Sequence, residues 1–357
     1  MNLSTILDGA LAALWIFPER YPEVFVLDLL RYVVGAGSVF FIVNIALARW
    51  LARRKIRITG PQKGQIKREL AASLRTVAIF AAFGTLVGIG AHFGLIPIYR
   101  DVAEYGYIWL IASTIIIIVS HDAWFYWTHR LMHRPGMFRW FHRLHHKSHN
   151  PTPFTSYSFD ASEAAMNALF FPLILLIIPA HPIALVIFTT HMMLRNAIGH
   201  CGYEIFPAGT AGKPLFGWLA TVTHHDLHHE NARYNMGLYF TWWDRWMGTE
   251  HPDYLSRFAA TARPFRHGKA VMLLLVNFAI AGGSVAAVEF APAPAVQSQI
   301  SDIRPSSIAE GCIKEGRAVK GATFRNRLAA TPLVCGPGRS CPHFEARLEN
   351  GDEYGSL

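Results

Sequence analysis

The chain has 357 residues, of which 52% are hydrophobic and only 16% charged. Soluble domains are usually about a quarter charged, so an ordinary soluble globule is excluded, and 13% aromatic content excludes disorder throughout. The net charge of +9 is not spread along grooves or arms as a nucleic-acid surface requires, so no nucleic-acid partner is expected.

In chain order, the apolar residues 11–17 are too few to cross a bilayer and predict an interfacial segment. No basic stretch followed by a small-residue cleavage site precedes them, so no cleavable signal peptide is expected. Residues 32–48, 76–99 and 105–120 are uncharged runs near the roughly 20 residues a spanning helix needs. The last ends in a β-branched run, but a lone strand cannot satisfy its backbone in lipid, so helix is predicted for all three. Residues 164–194 form a fourth apolar region, which Pro179 and Pro182 should break into a helical hairpin.

Arg49, Arg53, Arg54, Lys55, Arg57, Lys63, Lys67, Arg68 and Arg75 form a basic block between the first two spans, which places that loop in the cytoplasm. Counting spans from there, residues 121–149 and 195–251 emerge on the same cytoplasmic face. Residues 270–288 admit two readings, a further span or a loosely packed apolar segment. The chain beyond Ala291 has no helical or strand period and is expected to be disordered. Cys201, Cys312, Cys335 and Cys341 make neither a disulfide framework nor a Cys-x-x-Cys zinc pair. The expected fold is all-α: a multi-pass membrane helical bundle carrying a histidine-rich helical cap on its cytoplasmic face. Its parts are an N-terminal segment, first span and basic loop (1–75), a catalytic domain (76–260) and a C-terminal apolar segment with a tail (261–357).

Of the 18 histidines, 15 fall between His121 and His251. His129-Arg-Leu-Met-His133 has i, i+4 spacing, which puts two rings on one helix face about 6 Å apart. His142-Arg-Leu-His145-His146 and His225-Asp-Leu-His228-His229 repeat i, i+3 and i+4, so each set is expected to share a face. His149 extends the second stripe by a turn and His224 precedes the third. Isolated rings such as His92, His181, His251 and His267 read as surface or interfacial groups. Eight imidazoles held close together suffer desolvation and, when protonated, mutual repulsion; a bound cation removes both. Eight ligands exceed the four of one tetrahedral ion, so two metals are expected. Imidazole suits zinc, copper, iron and nickel alike. No His-Glu-x-x-His motif is present, and a site beneath apolar helices is placed to meet an acyl chain or sterol. Oxidising an unactivated C–H bond needs a redox metal and O2, which favours iron. A zinc-dependent membrane lipid hydrolase and a metal transporter are the rival classes.

These three clusters, in this order and separated by a hydrophobic hairpin, resemble the histidine boxes of the fatty acid hydroxylase superfamily, which includes sterol desaturases, sterol methyl oxidases and sphingolipid hydroxylases. Supporting matches are Asp122-Ala-Trp-Phe-Tyr-Trp-Thr-His129, Gly199-His200-Cys-Gly-Tyr-Glu204, Tyr234-Asn235, Trp242-Trp243-Asp244-Arg245 and Gly248-Thr249. The resemblance covers roughly residues 75–255. It implies an integral-membrane oxidoreductase of lipid biosynthesis, with two non-haem iron ions and O2 as co-substrate, that hydroxylates as a monooxygenase or desaturates a lipid. The implied catalytic metal ligands are His129, His133, His142, His145, His146, His225, His228 and His229, with His200 as an additional ligand. Asp122 and Asp226 are candidate acceptors that fix imidazole tautomers, or else helix caps. Asp244 and Arg245 are expected to pair, and Tyr203, Trp242 and Trp243 to anchor at the interface. No haem-binding domain is recognisable, so electrons should come from a separate ferredoxin- or cytochrome b5-like donor with its reductase. The basic loop with Arg130, Arg134, Arg139 and Arg143 offers either a docking face for that donor or contacts to lipid phosphates.

Overall fold

The computed structural model describes residues 3–209 and 212–262; the expectations for residues 270–288 and for the C-terminal tail lie outside them. The described residues are helical throughout, with isolated β-bridges and no strand. Three helices are long and apolar enough to cross a membrane, within Leu14–Ala46, Gln65–His92 and Gly106–Met132.

The first helix, α1 (Leu3–Val39), continues into a π-helical turn, Phe40–Ala46. The expected separate interfacial segment at residues 11–17 is therefore part of the same helix as the first span. Pro18 and Pro22 lie inside α1 without ending it. Each removes one backbone donor, and the long helical stretches on either side carry the chain through. A short helix α2 (Ala48–Leu51) follows, and then α3 (Gln65–His92), which starts earlier than expected. Next is α4 (Gly106–Met132), which runs twelve residues beyond the expected exit at Ser120 and so carries His121, Asp122 and His129 on the spanning helix itself.

Two single turns come next, α5 (Phe138–Phe141) and α6 (Arg143–His146). The predicted hairpin is present as α7 (Ala161–Leu175) and α8 (Pro182–Gly199). Its break has the expected cause. Pro182 opens α8 at a position where no amide donor is needed, and the His181 side chain caps the new helix by accepting from Ile183 N at 3.1 Å. The tip docks on the connection between α3 and α4, where Ala180 N donates to Pro97 O and Trp109 Nε1 to Pro179 O. The hairpin thus runs the full depth of α3 and α4. Its open end lies beside the histidines, where α9 (Val222–Glu230), α10 (Trp242–Trp246) and α11 (Tyr254–Thr261) complete the described chain.

Packing places α1 against α3 and α8, α3 against α7, and α4 against α7 and α8. The α1–α8 approach requires glycine at 35, since a Cβ there would lie 2.7 Å from Met193 Cγ. Part of the basic block is structural rather than a free loop. Arg54 is buried and donates to the carbonyls of Glu204 and Phe206, and the Arg57 guanidinium binds Asp226 at 2.9 Å.

One buried carboxylate joins α3 to the segment after the second histidine cluster. Glu69 Oε1 accepts from Gln65 Nε2 (2.8 Å), Ser148 Oγ (2.7 Å) and Thr155 Oγ1 (2.9 Å), and Oε2 accepts from Thr152 Oγ1. Replacing Glu69 with Leu strands these donors without water, at about 1–3 kcal/mol for each that stays unpaired. Glu69→Leu is expected to lower the melting temperature of the detergent-solubilised protein strongly. An unchanged melting curve would show that this network does not hold the 148–155 segment.

Candidate metal centre

Each histidine cluster sits where a helix ends or turns. His129 lies in the last turn of α4 and His133 caps it. The chain then reverses through Gly136, at φ 90°, into α5 and α6. His142 occupies the joint between those two turns, and α6 carries His145 and His146. His200 caps α8, and α9 presents His225, His228 and His229 from a helix buried on almost every side.

Nine rings gather into two groups. His129, His133, His142, His146 and His228 form one, and His145, His200, His225 and His229 the other; within each, one nitrogen per ring lies within 4.8 Å of all the others. Successive helical residues point about 100° apart, so the adjacent His145 and His146 must face different points, as must His228 and His229. The expectation that each His-x-x-His-His set shares one face is therefore corrected. The i, i+4 pairs 142/146 and 225/229 stay together, while His145 and His228 cross to the opposite groups. The groups adjoin, with the rings of His146 and His229 5.0 Å apart between centroids. The continuing stripe expected at His149 is absent: that side chain is exposed and belongs to neither group.

The donor chemistry suits cations. Three rings have Nδ1 turned on a backbone carbonyl: His129 on Met236 O (2.8 Å), His228 on Tyr234 O (2.7 Å) and His200 on Asn196 O (2.7 Å). A neutral imidazole has one N–H, and giving it to a carbonyl leaves a bare lone pair at Nε2. Those lone pairs face further Nε2 atoms, at 2.9 Å for His129–His142, 3.0 Å for His146–His228, 2.9 Å for His200–His225 and 3.2 Å for His200–His229. Burial holds the rings neutral. It pushes His200 and His228 down to about 4, against the opposing pull of their carbonyls. Burial, and after it the neighbouring imidazoles, hold His133, His142, His145, His146, His225 and His229 well below the usual histidine range. Convergent, neutral, all-nitrogen donor sets of five and four are what borderline transition-metal ions require.

Two of these carbonyls, those of Tyr234 and Met236, come from one loop for which sequence reasoning predicted no role in orienting rings. Asn235 adopts a left-handed φ of 56°, which turns the carbonyls of Tyr234 and Met236 to rings of the same group. Its amide is used on both sides, donating to His224 O and accepting from His251 N. Gly237 beside it admits no side chain, because a Cβ would lie 2.6 Å from Phe240 O.

The acidic residues take roles other than those expected. Asp122 touches no ligand ring; it accepts from Tyr239 N (2.8 Å), Phe240 N (3.3 Å) and Trp242 Nε1 (3.1 Å), so it clamps that loop to α4. Asp226 pairs with Arg57. Asp244 does not pair with Arg245. It accepts from Met236 N, Gly237 N and Thr249 Oγ1, while Arg245 pairs with Glu250. Tyr203 packs in the core instead of anchoring at an interface. The carboxylate that does reach a ligand ring is Glu163, whose Oε1 lies 2.7 Å from His142 Nδ1. Its only signal in the sequence is an acidic residue at the edge of an apolar helix. His224 also stays outside both groups, with Nε2 3.5 Å from Asp244 Oδ2.

Residues 114–249, the stretch that holds all nine rings, match the model of the fatty acid hydroxylase family. This match and the relatives below support the fatty acid hydroxylase superfamily for that stretch of the chain. Among its relatives, a Δ7-sterol 5(6)-desaturase of Gibberella zeae is 27% identical over 220 residues, 61% of this chain and 67% of the relative. Cholesterol 25-hydroxylase of Rattus norvegicus is 28% identical over 214 residues, 58% of this chain and 70% of the relative. Lathosterol oxidase of Homo sapiens is 25% identical over 243 residues, covering 65% and 78%. No solved structure matches the chain. The relatives are lipid hydroxylases and desaturases by name, and this chain is a membrane protein with three spanning-length helices among the described residues.

A pH dependence follows for this protein. Free of metal, the unfolded chain takes up protons on histidines near 6.5, whereas His200 and His228 in the fold resist protonation down to about 4. Chelator-treated protein should therefore be insensitive to pH above about 7 and lose stability as pH falls from about 6.5 toward 4. Thermal unfolding across that range tests the sign, and a melting temperature that rises on acidification would contradict it.

Proposed function

We propose that this protein is an O2-dependent oxidoreductase that hydroxylates or desaturates a lipid C–H bond at a pair of non-haem iron ions. The observation that carries the reading is the division of nine imidazoles, eight buried and His133 half-buried, into two adjoining nitrogen-only groups at the end of an apolar helical bundle. His129, His133, His142, His146 and His228 would hold one ion, and His145, His200, His225 and His229 the other. Bound iron supplies the activation of O2 and the electron changes that C–H oxidation demands. The chain itself does the positioning. The Met236, Tyr234 and Asn196 carbonyls orient three rings, Glu163 sits against a fourth, and burial keeps them unprotonated and bulk water out. The same arrangement disfavours a transport relay, whose sites would lie at the midplane of the spans. It also disfavours a hydrolytic zinc pair, since neither group contains a carboxylate.

The substrate is a membrane lipid, with sterols the first class to test because the relatives named above are sterol enzymes by name. The basic residues between α1 and α3 support a cytoplasmic position for the histidines. There the exposed Arg134, Arg139, Arg143 and Lys147 offer an acidic ferredoxin- or cytochrome b5-like donor a surface of opposite charge.

The crossing of the two groups gives the test. His145→Ala and His146→Ala alter neighbouring residues yet should each cost a different ion, so both variants are expected to retain about one of two metals by elemental analysis. Mass spectrometry of host lipids should show a species gaining one oxygen or losing two hydrogens with the wild type and with neither variant. Full metal content or retained lipid oxidation in either variant would overturn the assignment.

A further inference from the structure

Outside the metal centre, the bundle interior carries polar groups that nothing in the fold satisfies. Both amide atoms of Asn167, Oδ1 and Nδ2, are enclosed and have no hydrogen-bond partner, and neither does His191 Nδ1. A helical hairpin in an apolar setting has no structural need for an unpaired amide, whose burial is a net cost.

Its neighbours on α7 show where Asn167 faces. Glu163, Asn167 and Phe170 are at i, i+4 and i+7, one stripe of the helix. Glu163 touches His142 of the metal centre, and Phe170 packs edge-on to His121 at 4.9 Å and meets Phe188 of α8 at 5.8 Å. Asn167 therefore points into the space between α4, α7 and α8, about 6 Å of helical rise from the carboxylate that meets His142. About a turn deeper, Tyr239 donates or accepts at His121 Nδ1 (3.0 Å) and stacks edge-on to His191 at 4.6 Å.

Of the ionisable groups nearby, Glu163 places Oε1 against His142 Nδ1 and leaves Oε2 without a hydrogen-bond partner, while the others are engaged. Asp122 is used by the backbone of residues 239–240 and by Trp242. Arg195 donates to the carbonyls of Ala220 and Tyr239 and lies over the Phe206 ring. The free hydrogen-bonding capacity on this stripe is thus that of the Asn167 amide, with Phe170 and Phe188 on its deeper side, which suits an uncharged hydroxyl and not a phosphate beside the Glu163 carboxyl.

We propose that Asn167 binds the hydroxyl group of an alcohol-bearing lipid inside the bundle, so that a carbon a few bonds away faces the histidine centre. This deepens the oxygenase reading and rests on it for the identity of the bound lipid as substrate.

The test uses the full-length, metal-loaded protein in detergent. Competition binding compares cholesterol with cholesterol methyl ether, and octadecanol with its methyl ether, which removes the hydroxyl donor while keeping the carbon skeleton. At least one alcohol should bind about tenfold more tightly than its ether, the range expected for one buried hydrogen bond left unmade. Asn167→Leu should reduce that preference to about twofold or less at wild-type metal content. It should also raise the lipid-free melting temperature, because the unpaired amide is gone; a merely structural asparagine would do the reverse. Equal binding of alcohol and ether by the wild type, or a preference that survives Asn167→Leu, overturns the proposal. An alcohol preference in a protein without metal or lipid oxidation would uphold the hydroxyl site and defeat the oxygenase reading instead.

Discussion

Nine neutral imidazoles brought within a few ångströms of each other, with lone pairs facing inward, constitute the constraint on which this structure turns. Left alone, such an arrangement is repulsive and desolvated. It is tolerable only where burial suppresses protonation and a cation compensates the lone pairs. Three backbone carbonyls aim rings at the shared centres by taking their Nδ1 protons, and they come from two places: the end of α8 and the loop after α9.

That loop links the membrane helix to the chemistry. Asp122, seven residues before His129 on α4, holds the backbone at residues 239–240, and Asp244 holds it at residues 236–237. Between them the loop delivers the Met236 carbonyl back to His129 on α4. A change at either carboxylate would thus move a ligand ring it does not touch, which explains acidic residues packed beside a histidine-only site. Glu69 performs the equivalent service for the segment after α6, and Arg54 and Arg57 pin the α1–α3 connection to the loops around α9.

The placement of polar groups also divides the bundle. At one end the hairpin tip is closed by backbone hydrogen bonds to the α3–α4 connection; at the other the helices open on the histidines. Between these ends the interior is apolar apart from a few side chains on α3, α4, α7 and α8. Stability alone would remove the unpaired ones, so their presence is better understood as complementarity to a ligand than as packing.

Sequence alone determined the helical class, three spanning segments, the proline-broken hairpin and the identity of all nine clustered rings, because hydropathy and His spacing are local properties along one helix. It also determined that remote histidines converge, since a hairpin returns the chain to the face it left. Tertiary structure decided how the rings divide. His145 and His228 leave their own clusters because adjacent helical positions diverge in direction, and only the packing of α6 against α9 says which rings meet across the gap. The roles of Asp122, Asp226, Asp244 and Glu163 were likewise invisible beforehand. A carboxylate's partner is set by contacts more than a hundred residues away in the first two cases, and no spacing rule along the chain encodes them.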